Sequence, residues 1–341
     1  MAFKKVKDKD AQFKKVTQQI VESLEKGLVD GSFSVPWDRM RSIATNAKTG
    51  QRLIGISQLL CSMSMAEQGF EANRWLTFKQ ATELGGKVIK GSKSTLVFWL
   101  RPFLKDSKGK LFSPDRERIQ QAMEDGEDVI WSYRYAPYFN VEQIEGLEEH
   151  YYDPKGSVVE PLGVGEEFSP IEVAEQYLSA LSLHAKDPVE LSHGGVRAFY
   201  SPLSDSITLP KKEKFHSELA YYQTRLHETI HWTGAASRCN RDGIVKFDAF
   251  GSTQYAFEEL VAQLGAAMAS AELGLESGGV DDMHVKYIKS WVKVLKDDYK
   301  AIFKASQEAM KSVRLLNRMV VEAQSQSIDK VADDLAEQAS L

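Results

Sequence analysis

The chain has 341 residues, 43% of them apolar, which is long and apolar enough for two ordinary domains with their own cores and excludes disorder throughout. Net charge is only −5, but residues 1–110 hold 20 Lys and Arg against 10 Asp and Glu, so the two ends differ in electrostatic character. Only Cys61 and Cys239 occur, neither in a CxxC, which excludes a disulfide framework or a cysteine-built zinc knuckle and fits a reducing, cytoplasmic setting.

The basic start MAFKKVKDKD has no apolar run behind it, and no stretch approaches the roughly 18 apolar residues of a membrane span. A soluble protein without an export signal or a membrane partner is expected. Over residues 11–28, Phe13, Val16, Ile20, Val21 and Leu24 recur at helical spacing, with Gly27 and Gly31 as stop signals, which predicts an amphipathic helix. Further helices are expected over about 55–68 and over 77–84, where Thr77 caps and Gly85-Gly86 terminates. Residues 87–101, with Thr95-Leu-Val-Phe-Trp-Leu100 at their centre, and 129–141 read as strands. The charged stretch 105–128 between them is a solvated excursion with a helical middle, and no role is assigned to it. From 145 to 167 the chain is acidic and broken by Gly and Pro, the composition of a connector.

The second half opens with a helix over 170–183 and a hairpin formed by 196–200, a turn at 201–205 and 206–210. Helices then dominate, over 217–233, 255–273 and 285 to about 323, the last with Tyr287, Trp291, Leu295 and Tyr299 on one face. The polar end is expected to fray. The fold class is therefore α+β: an α+β N-terminal domain over 1–146, a linker over 147–167, a mostly helical domain with a small β-hairpin over 168–325, and a frayed tail over 326–341.

In Leu226-His-Glu-Thr-Ile-His231 the four-residue interval places both imidazoles on one helix face a turn apart, a separation that a tetrahedral cation bridges. Glu228 projects beside them, where a carboxylate takes a proton from metal-activated water and passes it to a leaving amine. The hairpin just upstream supplies an edge strand of the kind on which peptidases align an extended substrate. A third ligand is sought in Tyr255-Ala-Phe-Glu-Glu-Leu-Val-Ala-Gln263, where Glu258 and Glu259 point about 100° apart, so that one of them reaches the metal. Glu259 is preferred, because Gln263 four residues on can orient a ligand histidine from outside, whereas Glu258 has Ala262 there. Zinc is the expected cofactor, and manganese also suits such donors. His150, His184, His193, His216 and His284 lack ligand spacing and are assigned to loops or surfaces, and Tyr221 and Tyr222 fit a core or groove role better than oxyanion donation.

The N-terminal half interleaves cations with rings in Pro36-Trp-Asp-Arg39, Arg74-Trp-Leu-Thr-Phe-Lys79 and Lys87-Val-Ile-Lys-Gly-Ser-Lys93, the last leading into Phe98-Trp-Leu-Arg101. Cations follow phosphates while exposed rings stack on bases, which is the chemistry of sequence-independent single-strand binding. Trp37, Arg52, Arg74, Trp75, Lys79, Lys87, Lys90 and Lys93 are the candidate contacts. The absence of a helix-turn-helix or zinc finger disfavours duplex reading.

With these residues in view, the chain resembles the ArdC-type antirestriction proteins of plasmids and phages over nearly its full length. In the N-terminal half the likeness lies in Ala44-Thr-Asn46, Gly50-Gln-Arg-Leu-Ile-Gly55, Arg74-Trp-Leu-Thr-Phe78, Leu84-Gly-Gly-Lys-Val88, Lys90-Gly91 and Phe139-Asn-Val-Glu-Gln143. In the C-terminal half it lies in the HExxH run, Thr233-Gly234, Ala256-Phe-Glu-Glu-Leu-Val-Ala262 and Ser290-Trp291. The resemblance implies a single-stranded-DNA-binding domain followed by a zincin-like metallopeptidase domain, and protection of incoming DNA from host restriction. It further implies single-stranded DNA as partner and a host restriction component as substrate or target. Glu228 is then the catalytic carboxylate, with His227, His231 and a glutamate of the second motif as ligands. Relatives carry an acid where this chain has Gln263, and an amide there supports a ligand histidine less well. Two other readings use the same residues: a non-proteolytic blocking module with a structural metal, and a peptidase acting on proteins crosslinked to DNA.

Overall fold

The computed structural model describes residues 9–154, 170–183, 185–246, 252–275 and 282–339; residues 155–167 of the expected linker, His184 and the last two residues of the tail lie outside them. In chain order the first elements are α1 (Lys9–Val29), a 3-10 turn (Pro36–Arg39), β1 (Thr45–Asn46), α2 (Ile56–Gln68), β2 (Arg74–Thr77) and α3 (Phe78–Glu83). Then come β3 (Lys87–Val88), β4 (Thr95–Lys105), β5 (Leu111–Phe112), α4 (Arg116–Glu124), β6 (Ile130–Asn140) and β7 (Ile144–Glu145). The second half holds α5 (Pro170–Leu183), β8 (Glu190–His193), β9 (Phe199–Ser201), β10 (Ser206–Leu209), α6 (Glu218–Trp232), α7 (Asp242–Val245), α8 (Thr253–Glu272), α9 (Asp282–Asp297) and α10 (Ala301–Ala339). Among the described residues no helix is long and apolar enough to cross a membrane.

Residues 44–156 form one compact unit. Its main sheet has the order β1-β2-β6-β4-β5, with β1 and β2 parallel and the other neighbours antiparallel. The β-branched and aromatic runs pair from Thr95 opposite Tyr138 to Phe103 opposite Ile130, and α2 packs on β4. As expected, Thr77 caps α3, its hydroxyl accepting the Gln80 N–H. The turn after α3 then closes on a second core: a Cβ at Gly86 would lie 2.6 Å from Leu147 Cδ2 and 2.7 Å from Ile144 Cγ2. Leu147 is buried there, and the Tyr152 hydroxyl donates to the Ile144 carbonyl, so the chain just past residue 145 is built into this unit.

Two candidate nucleic-acid contacts are corrected here. Trp75 is fully buried among Ala44, Leu53, Cys61 and Val97, with its Nε1–H donated to Asn73 at 2.7 Å. Trp37 is equally buried, in the other unit, with its ring edge-on to Trp291 at 5.3 Å. Neither ring can stack on a base, because each one fills a core.

The other compact unit joins residues 1–43 to 157–341. The apolar stripe of α1 is buried, and α1 packs on α9; Phe13 meets Phe303 edge-on at 4.6 Å, and the Thr17 hydroxyl donates to the Tyr299 carbonyl at 2.6 Å. The helix grouped by sequence with the N-terminal domain thus packs with C-terminal elements. The foreseen hairpin is β9 with β10, antiparallel; β8, which sequence missed, lies parallel on the other side of β10 and leaves β9 as an edge. The single helix expected over 285–323 is two, because the Asp298 carboxylate captures the Lys300 N–H at 2.8 Å and breaks the ladder. Helix α10 spans Ala301–Ala339. Helices α6 and α8 cross tightly at Gly265, where a Cβ would lie 2.9 Å from Ile230.

Trp75→Ala is expected to destabilise the chain by about 3–5 kcal/mol, read as a lowered urea midpoint. At a temperature where the variant is folded, oligonucleotide affinity should be unchanged; a specific loss of binding with stability intact would return Trp75 to the surface.

Candidate metal centre

Ser217 caps α6 by accepting the Ala220 N–H, and Ser252 caps α8 by accepting the Tyr255 N–H. Between these ends α6 presents His227, Glu228 and His231, and α8 presents Glu258 and Glu259, all buried. The two histidine Nε2 atoms face each other at 3.1 Å; Glu259 Oε2 lies 3.5 Å from His227 Nε2 and Glu259 Oε1 3.5 Å from His231 Nε2. Taking one ligand atom from each residue, the three lie within 4.8 Å of one another, a cluster that a divalent metal can draw together. Glu259 Oε2 is buried with no hydrogen-bond partner among the described residues, as an oxygen awaiting a cation should be.

The charges agree with the geometry. Burial opposes ionisation of Glu259, yet His227 and His231, each 3.5 Å from one of its oxygens, hold its carboxyl far below the usual range. Burial likewise opposes a charged His231, but Glu258 and Glu259 outweigh it and lift its pKa to about 10. The cluster demands positive charge, which either a proton or a cation supplies.

Glu258, set aside as a ligand, supports one instead. Its Oε1 lies 3.2 Å from His231 Nδ1, which assigns that nitrogen the proton and leaves Nε2 its lone pair. Arg241 grips the same carboxylate, Nη2 to Oε1 at 2.6 Å and Nε to Oε2 at 2.9 Å, and donates further to Thr233 Oγ1, Ser312 Oγ and the Ile230 carbonyl. Gly234 and Gly243 leave room for this: a Cβ on the first would lie 2.8 Å from Arg241 Nη2, and on the second 2.6 Å from Glu258 Cβ. Gln263 is buried one turn beyond Glu259 on α8. Sequence reasoning missed Arg241, whose place depends on how the turn after α6 folds back.

Glu228 is also buried, and burial raises its carboxyl pKa against the lowering charge of His227 and His231. The hairpin carrying Tyr200 is fixed at its turn, where Asp205 accepts the Tyr200 hydroxyl at 2.7 Å and is paired with Arg238. Arg238 in turn lies 3.8 Å over the Trp232 ring at the end of α6. Tyr222 bonds Glu175 and Lys212, and Tyr221 bonds His193, so these tyrosines face their own polar cluster. His150 and His216 are exposed, and the side chain of His284 lies outside the described residues.

Of the candidate nucleic-acid contacts, Arg52, Lys79, Lys87, Lys90 and Lys93 are exposed. Arg74 is half-buried, its Nη1 donating to the His150 carbonyl at 2.6 Å and its guanidinium 5.7 Å over the Tyr151 ring. Exposed rings of this unit are ones that sequence did not name as contacts: Phe78, 62% exposed at the start of α3, Trp131, 49% exposed on β6, and Phe112 on β5. Helix α3, which begins at Phe78, packs on β3, which carries Lys87.

Residues 10–141 match the N-terminal domain of anti-restriction factor ArdC, and residues 179–308 match a family described as zincin-like metallopeptidase. The crystal structure of the antirestriction ArdC protein from the R388 plasmid, in its metal-free form, is similar with a TM-score of 0.69 and 30% identity, covering 91% of this chain and 98% of that one. The Mn(II)-bound form gives 0.68 and 30%, covering 90% and 97%. An uncharacterized protein of Sinorhizobium fredii, y4eC, is 30% identical over 322 residues, 93% of this chain and 94% of that protein. A DNA primase TraC of Escherichia coli is 33% identical over 304 residues, but the chain spans only 19% of that primase's length and 26% of a second TraC. The chain belongs to the ArdC family of antirestriction proteins, and its zincin-like metallopeptidase domain holds the buried metal-binding triad His227, His231 and Glu259.

Proposed function

We propose that this protein binds single-stranded DNA in the host cytoplasm and acts there as a zinc peptidase, protecting incoming DNA by cleaving a host restriction component. The observation that carries the proteolytic part is Glu228. A metal that only braced the fold would need no further buried carboxyl beside its ligands, and burying one costs several kcal/mol. Its pKa, raised by burial, suits a group that must both accept and return a proton.

His227 Nε2, His231 Nε2 and Glu259 hold the cation, with Glu258 and Arg241 orienting His231 and offsetting the amide at Gln263. When bound, the metal supplies Lewis acidity toward the scissile carbonyl and lowers the pKa of water. Glu228 takes the proton of the attacking water and delivers it to the leaving nitrogen. Strand β9 is an edge of its sheet and packs on α6, which carries Glu228. A peptide added to that edge as an extra strand brings its carbonyl to the site. Two imidazoles and one carboxylate are a zinc donor set, and the Mn(II)-bound relative supports manganese as a substitute.

For DNA, the exposed Lys79, Lys87, Lys90 and Lys93 neutralise phosphates, and Phe78 offers the stacking ring that Trp37 and Trp75 do not. The match to a segment of TraC, named a DNA primase, supports a DNA-bound setting.

Glu228→Gln should lower peptidase turnover by about 10²–10⁴-fold and abolish protection in a restriction assay, while zinc affinity stays within about threefold. Full protection by that variant would establish blocking without cleavage. Replacing Lys87, Lys90 and Lys93 with Ala should flatten the slope of log K against log salt by about 2, and Phe78→Ala should weaken oligonucleotide binding by about 1–3 kcal/mol at every salt concentration. A wild-type profile indifferent to salt would remove the DNA reading.

A further inference from the structure

The third ligand has a support of its own. Tyr255 stands one turn before Glu259 on the same side of α8, and burial together with the Glu259 charge holds the proton on its hydroxyl. Tyr255 Oη also lies 3.0 Å from Tyr287 Oη on α9. An ionised carboxylate only accepts, so with the Tyr255 proton turned toward Glu259 the Tyr287 hydroxyl is the donor to Tyr255. The Tyr287 ring stacks on Trp291 at 6.0 Å and 29°, and Trp291 takes the edge of Trp37 at 5.3 Å. Both tryptophans are fully buried, so the far end of this column is rigid, and it comes from the 3-10 turn after α1.

Without a hydroxyl on its outer side, the Glu259 carboxylate would depend on α8 alone for its rotamer. Outer hydrogen bonds of this kind fix ligand orientation and typically change metal affinity by about 10- to 100-fold. We infer that Tyr255 and Tyr287, braced by Trp291 and Trp37, are positioning residues for the ligand Glu259, so that the segment before residue 44 is part of the metal centre. The inference rests on the metal-binding triad and is independent of whether the protein cleaves anything.

The test uses the full-length protein and zinc, with the dissociation constant read by competition against a chromophoric chelator. Tyr255→Phe should weaken zinc binding by about 10- to 100-fold, and Tyr287→Phe and Trp37→Phe each by roughly 3- to 10-fold. Melting of the metal-free proteins is measured alongside, and Tyr255→Phe should leave it within a few degrees of wild type. The absorption bands of the Co(II)-loaded protein should shift in both tyrosine variants, a signature that a purely structural role would not produce. In a Glu259→Gln background Tyr255→Phe should have no further effect. Zinc binding by Tyr255→Phe within twofold of wild type, or an equal loss in the Glu259→Gln background, would overturn the proposal, and unchanged affinity in Trp37→Phe would overturn the part assigned to the N-terminal segment. Loss of proteolysis with these affinities intact would count only against the peptidase reading.

Discussion

Three carboxyls are buried beside two imidazoles and one guanidinium, and most of the C-terminal architecture follows from keeping that assembly electrically tolerable. His231 is the hinge of the arrangement. Its Nε2 faces Glu259 on the metal side, and its Nδ1 faces Glu258 on the other. Two consecutive glutamates, splayed by the helical rotation between them, thereby take the inner and outer sides of one ring. Glu258 is neutralised by Arg241, whereas the ion-pair partners of Glu259 among the described residues are the two histidines, so the inner side keeps a deficit of positive charge that suits a divalent cation. The close crossing at Gly265 and the room left by Gly234 and Gly243 are what allow backbone and Arg241 to come this near.

The hairpin is bound to the same helix by a second set of charges. Asp205 sits in the left-handed region at φ 49°, a conformation that Asp tolerates better than most residues, and there it accepts from both Tyr200 and Arg238. Arg238 lies on Trp232, one residue past His231, so the height of β9 relative to the HExxH turn is set by an ion pair and a ring contact. Edge strand and proton-accepting carboxyl are held in one frame.

Much of this was legible in the residues. Periodicity placed the helices, Thr77 marked a start, and the four-residue spacing of His227 and His231 carried its own geometry. What escaped was whatever depended on distant chain. Tryptophan beside arginine reads alike in a core and on a nucleic-acid surface, and only packing showed that Trp37 and Trp75 face inward while Phe78 does not. Spacing along α8 points from Glu259 to Gln263 and gives Glu258 no partner, whereas the partner it has, Arg241, lies outside that helix. The break at Asp298 is a local competition between side chain and helix ladder, which apolar periodicity running straight through it does not reveal.

The chain order also bears on how such a protein can be divided. The family match to the ArdC N-terminal domain spans residues 10–141, but the compact sheet unit begins at Ala44, and α1 with Trp37 is packed into the unit that holds the metal. The sheet unit is thus inserted in sequence between two parts of the other. Cutting the chain at the family boundary would strip α1 from α9 and expose Phe303 and Trp291, both fully buried beneath Phe13 and Trp37. Neither half retains its core under such a cut, whereas excision at residues 44 and 156 would respect both. The likeness to the relatives runs over 304 to 322 residues, through both units, even where the protein that contains it is several times longer.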